Sequence, residues 1–524
     1  MRLRNALVIA LACLSGSGGA LGAEGEYADD AWCRDRLWAP VEKPDPARNF
    51  ALSLSGGGYR AMLYHIGALR RLNEAGLLAE LAVVSSVSGG SITAGMLAKA
   101  WGELEFETRT LDAAGPSGAL PLEVRIATNF ESRVSEPLMK RLADTTIDVP
   151  AVVSGFFPGG SSADVVANRY DEILFGGAKL ADLGKTGGPL FIFNATSLQT
   201  GELWQFRSNA MGGPSAGWTT PGETRLAQAV AASSAFPPFL SPLYLRPPSA
   251  RADDWKDCRP VQFVHANDPR AHTRRTIRDE DRARYREEVY LTDGGVRDNL
   301  GMVAVDQANR RRINQSRYAL DELISDGGRT FGFDPDPATN WLSQGFRVMG
   351  ITSTEPDLLR IDAMLDRAIS YTEDNAAHCA LYRSEDRRLE KERKGEPSYR
   401  LKALCFGGDG AYWGVQRLPP AHQYFEPRPE PWIEIDDLAD LGNIPTRLSA
   451  LDQVTRERLV NWGYLSAHYG LGFINRLWQC SQAQRLSVCA MPYESSGVGP
   501  RTTTREYCLR PVKCDAIKPE VPAR

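Results

Sequence analysis

The chain becomes orderly at Phe50. Phe50, Leu52 and Leu54 alternate as in a β-strand, three glycines follow at Gly56 to Gly58, and Met62, Ile66, Leu69 and Leu72 then recur at helical spacing until Gly76. A second apolar run, LAVVSSVS from Leu81, leads into GGSITAGMLAKAW, whose Ile92, Met96 and Ala100 suit one face of a helix. Strand, glycine loop, helix, strand, sharp turn, helix is the order of elements in a parallel α/β sheet. Pro189 to Phe206 predicts two strands around a turn, Thr224 to Phe239 a helix stopped by Pro237 and Pro238, and Glu288 to Gly295 a strand that runs into glycines. Leu459 to Ile474 predicts a buried helix. The expected class is therefore α/β, with a mainly parallel central sheet flanked by helices. No period of about 20 to 50 residues supports a solenoid or propeller.

Between these elements the pattern changes. Residues 246–287 are crowded with charge, as in HTRRTIRDEDRARYREE, and read as a surface insertion whose arginines either face solvent or meet anionic lipid head groups. Residues 310–430 mix polar helical stretches with Gly/Pro-rich loops and read as a second insertion within a catalytic domain spanning 49–474. Residues 475–524 form a polar tail that holds four cysteines and is expected to need disulfides to keep a shape. At the other end, residues 1–22 carry a basic start, an apolar run and the small-x-small triplet Ala20-Leu21-Gly22, the layout of a signal peptide. Residues 23–48 are then an extension before the first strand. Export to a periplasm or to the medium is expected.

Composition narrows the functions. With 524 residues, 43% of them hydrophobic, and a formal net charge of -4, the chain can bury a large core and has no overall basic character for nucleic acid. Nine cysteines leave eight once Cys13 departs with the signal: Cys33, Cys258, Cys379, Cys405, Cys480, Cys489, Cys508 and Cys514. An even number suits disulfides in an exported protein, and spacing alone does not choose the pairs. None shows C-x-x-C spacing, and no D-x-[DN]-x-[DN]-G calcium loop is present, so neither a metal nor a cofactor is expected. The sequence names no protein partner.

The chemistry lies at the strand ends. Ser88 ends an apolar strand before glycines and a helix, in S-x-S-x-G rather than the usual G-x-S-x-G of a nucleophile elbow, with Ser86 in place of the first glycine. By itself the pattern fits a helix-capping serine as well as a nucleophile. Gly56, Gly57 and Gly58 can aim backbone N–H groups at developing negative charge, while lacking the G-K-[ST] ending and the G-x-G-x-x-G spacing of nucleotide loops. Asp293 in LTDGGVRDNLG and Asp326 in LISDGGRTF both end strands before glycines, and position alone does not rank them as bases or as turn residues. His65 falls within the first amphipathic helix, in a packed or capping position, and no histidine sits in a triad context. A carboxylate acting directly on serine is expected.

SGGGYRAM, SVSGGS, AVAASSAFPP and DGGVRDNLG, in this order between Asn49 and Gly301, resemble the patatin-like phospholipase family, the first block being most similar to the cytosolic phospholipase A2 branch. The resemblance implies a three-layer fold and a Ser88–Asp293 dyad, with Gly56, Gly57 and Gly58 as the oxyanion hole. Asp293 precedes G-G-x-x-x-N-L as the family's aspartate does, whereas Asp326 is similar to a later strand end. Arg60 matches an arginine associated in that branch with the substrate phosphate. The implied function is hydrolysis of lipid acyl esters, of the phospholipase A or lysophospholipase type, with transient contact to a membrane surface. A catalytically inactive lipid-binding or interaction protein and a serine amidase or peptidase are the alternatives.

Overall fold

The computed structural model describes residues 31–38, 48–111, 122–148, 162–237, 240–249, 251–258, 277–329, 341–392, 395, 397–416, 440–471 and 491–493. The signal segment and all four tail cysteines lie outside the described residues.

Among these residues a ten-stranded sheet organises the chain. Its centre is β1 (Phe50–Leu54), β2 (Leu81–Val87) and β5 (Leu190–Ser197), all parallel. From β5 the sheet continues antiparallel through β6 (Leu203–Phe206), β7 (Met211–Gly213) and β8 (Gly217–Thr219). The hairpin β3 (Phe106–Leu111) and β4 (Leu122–Ala127) stands apart as a second sheet.

Two shorter strands join the main sheet away from that path. β9 (Leu243–Leu245) pairs antiparallel with β10 (Val289–Asp293), and β10 pairs antiparallel with β5.

Both faces of the central strands are covered, which is why the strands read as apolar runs. Phe50, Leu52 and Leu54 pack in one core with α1 (Gly58–Glu74) and α2 (Gly89–Ala100). Ala51, Val83 and Ile192 point the other way, toward Ala304, Val305 and Ala308. Further elements are α3 (Ser162–Tyr170), α4 (Leu226–Ser233), α5 (Asp279–Glu287), α6 (Gly295–Asp298), α7 (Met302–Asn314), α8 (Trp341–Glu392), α9 (Tyr399–Phe406) and α10 (Gln453–Leu471). Residues 459–471 of α10 are buried, as their apolar pattern predicts. The helix crosses α1 so closely that a Cβ on Gly67 would meet the Val460 carbonyl and one on Gly463 the Tyr64 carbonyl.

The structure corrects one boundary. Residues 310–430 are not simply an insertion, because β11 (Asp321–Asp326) lies between β1 and β12 (Gly410–Gly414), parallel to both. β11 escapes a hydropathy reading because DELISD is polar at both ends, and its charges are matched inside the fold: Asp321 Oδ1 accepts the Asp409 N–H at 2.9 Å, and Glu322 Oε1 accepts from Asn309 Nδ2 at 2.9 Å. The predicted helix at Thr224 to Phe239 also ends early, at Ser233, because Ala235 turns its carbonyl to the Asp293 N–H and the Thr292 hydroxyl. Of the charged 246–287 segment, α5 presents Asp279 to Arg284 largely to solvent and buries Tyr285 and Arg286 against Trp204 and Trp255. Two disulfides form among the described residues, Cys33–Cys258 and Cys379–Cys405.

Candidate active site

β2 ends at Val87, opposite Asn194 of β5. The next residue, Ser88, takes φ 50 and ψ -118, a conformation that costs a non-glycine residue free energy and persists only where the surroundings impose it. What imposes it is close packing behind the turn. A Cβ on Gly90 would come 2.5 Å from the Leu54 carbonyl, and one on Gly89 2.9 Å from the Gly58 nitrogen, so only glycine fits at either position. The Ser88 N–H donates to Ser233 Oγ at 3.0 Å, and Ser233 Oγ donates to the Asn194 carbonyl at 2.6 Å. Ser86, which replaces the elbow's first glycine, is still within the extended strand. Its hydroxyl joins Ser91 (2.9 Å) and bonds the Ile192 carbonyl, so the substitution does not disturb the turn.

β10 reaches the same point from the opposite direction. It pairs with β5 through Asp293 and Ala195, on the side that β2 occupies one residue earlier through Val87 and Asn194. Two strands therefore abut end to end along one edge of β5, and their C-termini deliver Ser88 and Asp293 to neighbouring positions about one strand step apart. Asp293 Oδ1 accepts the Gly295 N–H at 2.7 Å, whereas Oδ2 is buried without a hydrogen bond of full geometry. Burial pushes the carboxyl up to about 6, and the Ser88 hydroxyl and the Gly295 N–H hold back part of that rise.

Asp326 ends β11, with β1 between it and β2. Its carboxylate is engaged by the Gly328 N–H (2.8 Å) and the Tyr412 hydroxyl (2.7 Å). The strand order thus separates two aspartates whose local sequences look alike.

The glycine loop lies across the start of α2. Gly57 and Gly58 have φ 143 and φ 61, values that favour glycine, and a Cβ on Gly56 would sit 3.1 Å from Ser88 Cβ. The amides of the loop differ in their use. The Gly56 N–H donates to the Asn299 carbonyl at 2.9 Å and is not free for an oxyanion, which corrects the expectation for that residue. Among the described residues, no acceptor takes the Gly57 or Gly58 N–H, and both stand at the positive end of the 17-residue α1.

Arg60 is also placed differently from its expectation. It is fully buried; Nε donates to the Gly327 carbonyl at 3.0 Å, and the guanidinium also bonds the Ile444 carbonyl and Thr446 Oγ1. It fastens residues 444–446 beside the loop, and in this arrangement presents no open face to a phosphate. Three residues of the site carried no sequence signal strong enough to single them out: Asn299, which takes the Gly56 N–H; Ser233, which holds the elbow; and Tyr170, buried beside Asp293 with its hydroxyl 3.3 Å from Ser234 Oγ. The N-L that follows the glycines after Asp293 was the available clue to Asn299. No group of three or more His, Cys, Asp or Glu among the described residues has metal-holding geometry, and none of the described helices is long and apolar enough to cross a membrane.

Comparison with known proteins bears on this arrangement at the level of family. A search of curated proteins finds no match. Among solved structures, human GIVD cytosolic phospholipase A2 in complex with a methyl gamma-linolenyl fluorophosphonate inhibitor and terbium chloride is 17% identical over 39% of this chain and 33% of its own, with a TM-score of 0.25. A further structure of human GIVD cytosolic phospholipase A2 is 14% identical, covers 87% of this chain and 63% of its own, and has a TM-score of 0.37. VipD from Legionella pneumophila is 13% identical over 83% of this chain and 87% of its own, with a TM-score of 0.24. The chain thus spans a third of the first of these structures and less than two thirds of the second. The family model described as patatin-like phospholipase matches residues 52–306, a stretch that begins in β1 and ends in α7 and so contains the glycine loop, the serine elbow and the strand that ends in Asp293. Over residues 52–306, just under half of its length, this chain is similar to the patatin-like phospholipase family.

Proposed function

We propose that the protein is an exported serine acyl hydrolase that cleaves fatty acyl esters of lipids, of the phospholipase A or lysophospholipase type. The observation that carries this reading is the abutment of β2 and β10 on β5, which sets a strained serine beside a buried carboxyl with pKa about 6. A carboxylate at an ordinary pKa near 3.8 is a poor base for a hydroxyl, and the raised value brings it closer to the working range.

Ser88 Oγ attacks the ester carbonyl carbon while Asp293 Oδ2, the oxygen without a full hydrogen bond, takes the proton. The carbonyl oxygen becomes an oxyanion and is met by the N–H groups of Gly57 and Gly58, with the α1 dipole behind them. Collapse breaks the bond to the leaving alcohol, which receives the proton from Asp293. Water then attacks the acyl-serine, giving its proton to the same carboxylate, and the fatty acid leaves as Ser88 regains its hydrogen. Contact with a lipid surface is supported by exposed Tyr244, Tyr290 and Val296, two of them within three residues of Asp293. Export is supported by the two disulfides, which form in oxidising compartments.

The test is covalent trapping beside product analysis. A fluorophosphonate labels Ser88 in the wild type and not in Ser88→Ala, and mixed phospholipid vesicles release fatty acid only with the wild type. A folded wild type that takes no label refutes the reading in favour of an inactive lipid-binding scaffold. Peptide cleavage that outpaces every ester moves it to the amidase class.

A further inference from the structure

Behind the glycine loop runs a line of buried side chains that the proposed reaction does not use. His65, two turns into α1, has Nε2 2.9 Å from the Ser55 carbonyl and Nδ1 2.9 Å from Ser325 Oγ, and Trp413 Nε1 donates to the same Oγ at 3.0 Å. The protons in this line are ordered by its ends. An indole N–H can only donate and a carbonyl can only accept. Ser325 Oγ therefore accepts from Trp413 and hands its own proton to His65 Nδ1, and His65 donates from Nε2 to Ser55. Of the two neutral tautomers, only the one with its proton on Nε2 satisfies both ends. Burial lowers the His65 pKa to about 4, so that form persists at neutral pH.

The carbonyl at the end of the line occupies a particular place. It belongs to the peptide joining Ser55 to Gly56, and it also accepts the Gly90 N–H at 3.1 Å, from the first turn after Ser88. The N–H of the same peptide is held by the Asn299 carbonyl at 2.9 Å. One peptide plane is thus gripped at both edges. Gly56 joins that plane to the Gly57 amide, and it is packed so closely that a Cβ there would run into Asn299 Oδ1, so a held plane and a confined pivot together set where the next amides point. The Ser55 hydroxyl adds a second hold, accepting the Gly327 N–H at 2.8 Å.

We infer that His65 is a positioning residue for acyl transfer: relaying a fixed hydrogen-bond direction from Trp413 through Ser325 to the Ser55 carbonyl, it locks the peptide plane that aims the Gly57 and Gly58 amides at the oxyanion. The kinetic part rests on the acyl-hydrolase reading; the proton order does not. Two measurements separate them, both on the full oxidised chain. The first is nitrogen-15 NMR of the imidazoles at neutral pH, with the His65 signal identified by its loss in His65→Gln. The expected spectrum is that of a neutral ring protonated at Nε2.

The second measurement is turnover of a soluble ester, with the rate of fluorophosphonate labelling, for His65→Leu, His65→Gln and Trp413→Phe. Loss of one oxyanion donor costs about 100- to 1,000-fold in kcat, so an amide that is present but free to swing is expected to cost about 10- to 100-fold in His65→Leu, with KM changed less than about twofold. The glutamine amide can both donate and accept, and it recovers most of the loss. Trp413→Phe lowers kcat by a smaller factor. Near-ultraviolet circular dichroism and the thermal transition certify the fold of each variant, and if His65→Leu does not fold, the tautomer and Trp413→Phe decide.

A ring protonated at Nδ1 overturns the inference, as does a folded His65→Leu, or a folded Trp413→Phe, with wild-type kcat alongside an active wild type. A wild type that neither turns over nor labels, yet carries the Nε2 proton, sinks the hydrolase reading and leaves the ordered line in place.

Discussion

Replacing Asp293 by asparagine separates the energetic cost of the site from its chemistry. The carboxyl has a pKa of 3.8 when free and about 6 in the folded protein, because burial disfavours its charge. A group whose folded pKa is raised stabilises the fold fully below its unfolded pKa, and that contribution is lost as pH climbs through the folded value. At about 1.4 kcal/mol per pKa unit, the wild type loses about 3 kcal/mol between the two values. Asp293→Asn cannot lose it. Whatever constant offset the amide introduces, the stability of the variant relative to the wild type should therefore rise by about 3 kcal/mol between roughly pH 3.5 and pH 7.5. The assay is urea unfolding of both proteins at several pH values with disulfides intact, beside fatty acid release, which the variant should lack throughout. Other buried acids titrate equally in both chains and cancel in the difference. A difference that stays flat with pH would mean that Asp293 ionises in the fold as it does in water, and the argument for it as the base would collapse.

The same carboxyl predicts that kcat/KM for a soluble ester rises with pH to a midpoint near 6, because the base works only when ionised; a midpoint near 4 would contradict this. Gly67→Ala should destabilise the fold by about 1–3 kcal/mol in urea unfolding, since the added methyl meets the Val460 carbonyl where α1 crosses α10; an unchanged midpoint would show that the helices separate freely. Cys33→Ser with Cys258→Ser opens a covalent loop with a sequence separation of 225 and should cost about 2–5 kcal/mol, read as a lowered thermal transition that reductant reproduces in the wild type.

The parts of the site that a reader could find in the sequence are those where local geometry dictates residue type. Ser88 must be followed by small residues because α2 starts against the backbone of the glycine loop, and Gly57 and Gly58 must be glycines because of their positive φ. Such requirements leave marks in a single line of text. The choice between Asp293 and Asp326 leaves none, since it depends on which neighbour each strand takes in the sheet, and the family resemblance, not the residues alone, favoured Asp293. Arg60 misled for a related reason: its place after the glycines suggested a ligand contact, but the turn of α1 points it inward to carbonyls at Gly327 and Ile444. β11 was hidden because its polar residues are paired inside the fold, as Glu322 is with Arg367, and β12 because its five residues, GAYWG, are bounded by glycines and show no alternation. Disulfide partners were equally beyond reach, Cys33 finding Cys258 across more than two hundred residues.

Because the nucleophile's strand and the base's strand both lean on β5 from opposite ends, the proposed enzyme cannot be active in pieces. A ribosome that has released everything up to Glu288 has already made the serine, the amide cradle and the strand between them, but nothing that can take a proton from the hydroxyl. On the proposed reading, every shorter product of synthesis is inert, and the dyad is completed only when the tenth strand slots in against Ser197, Thr196 and Ala195.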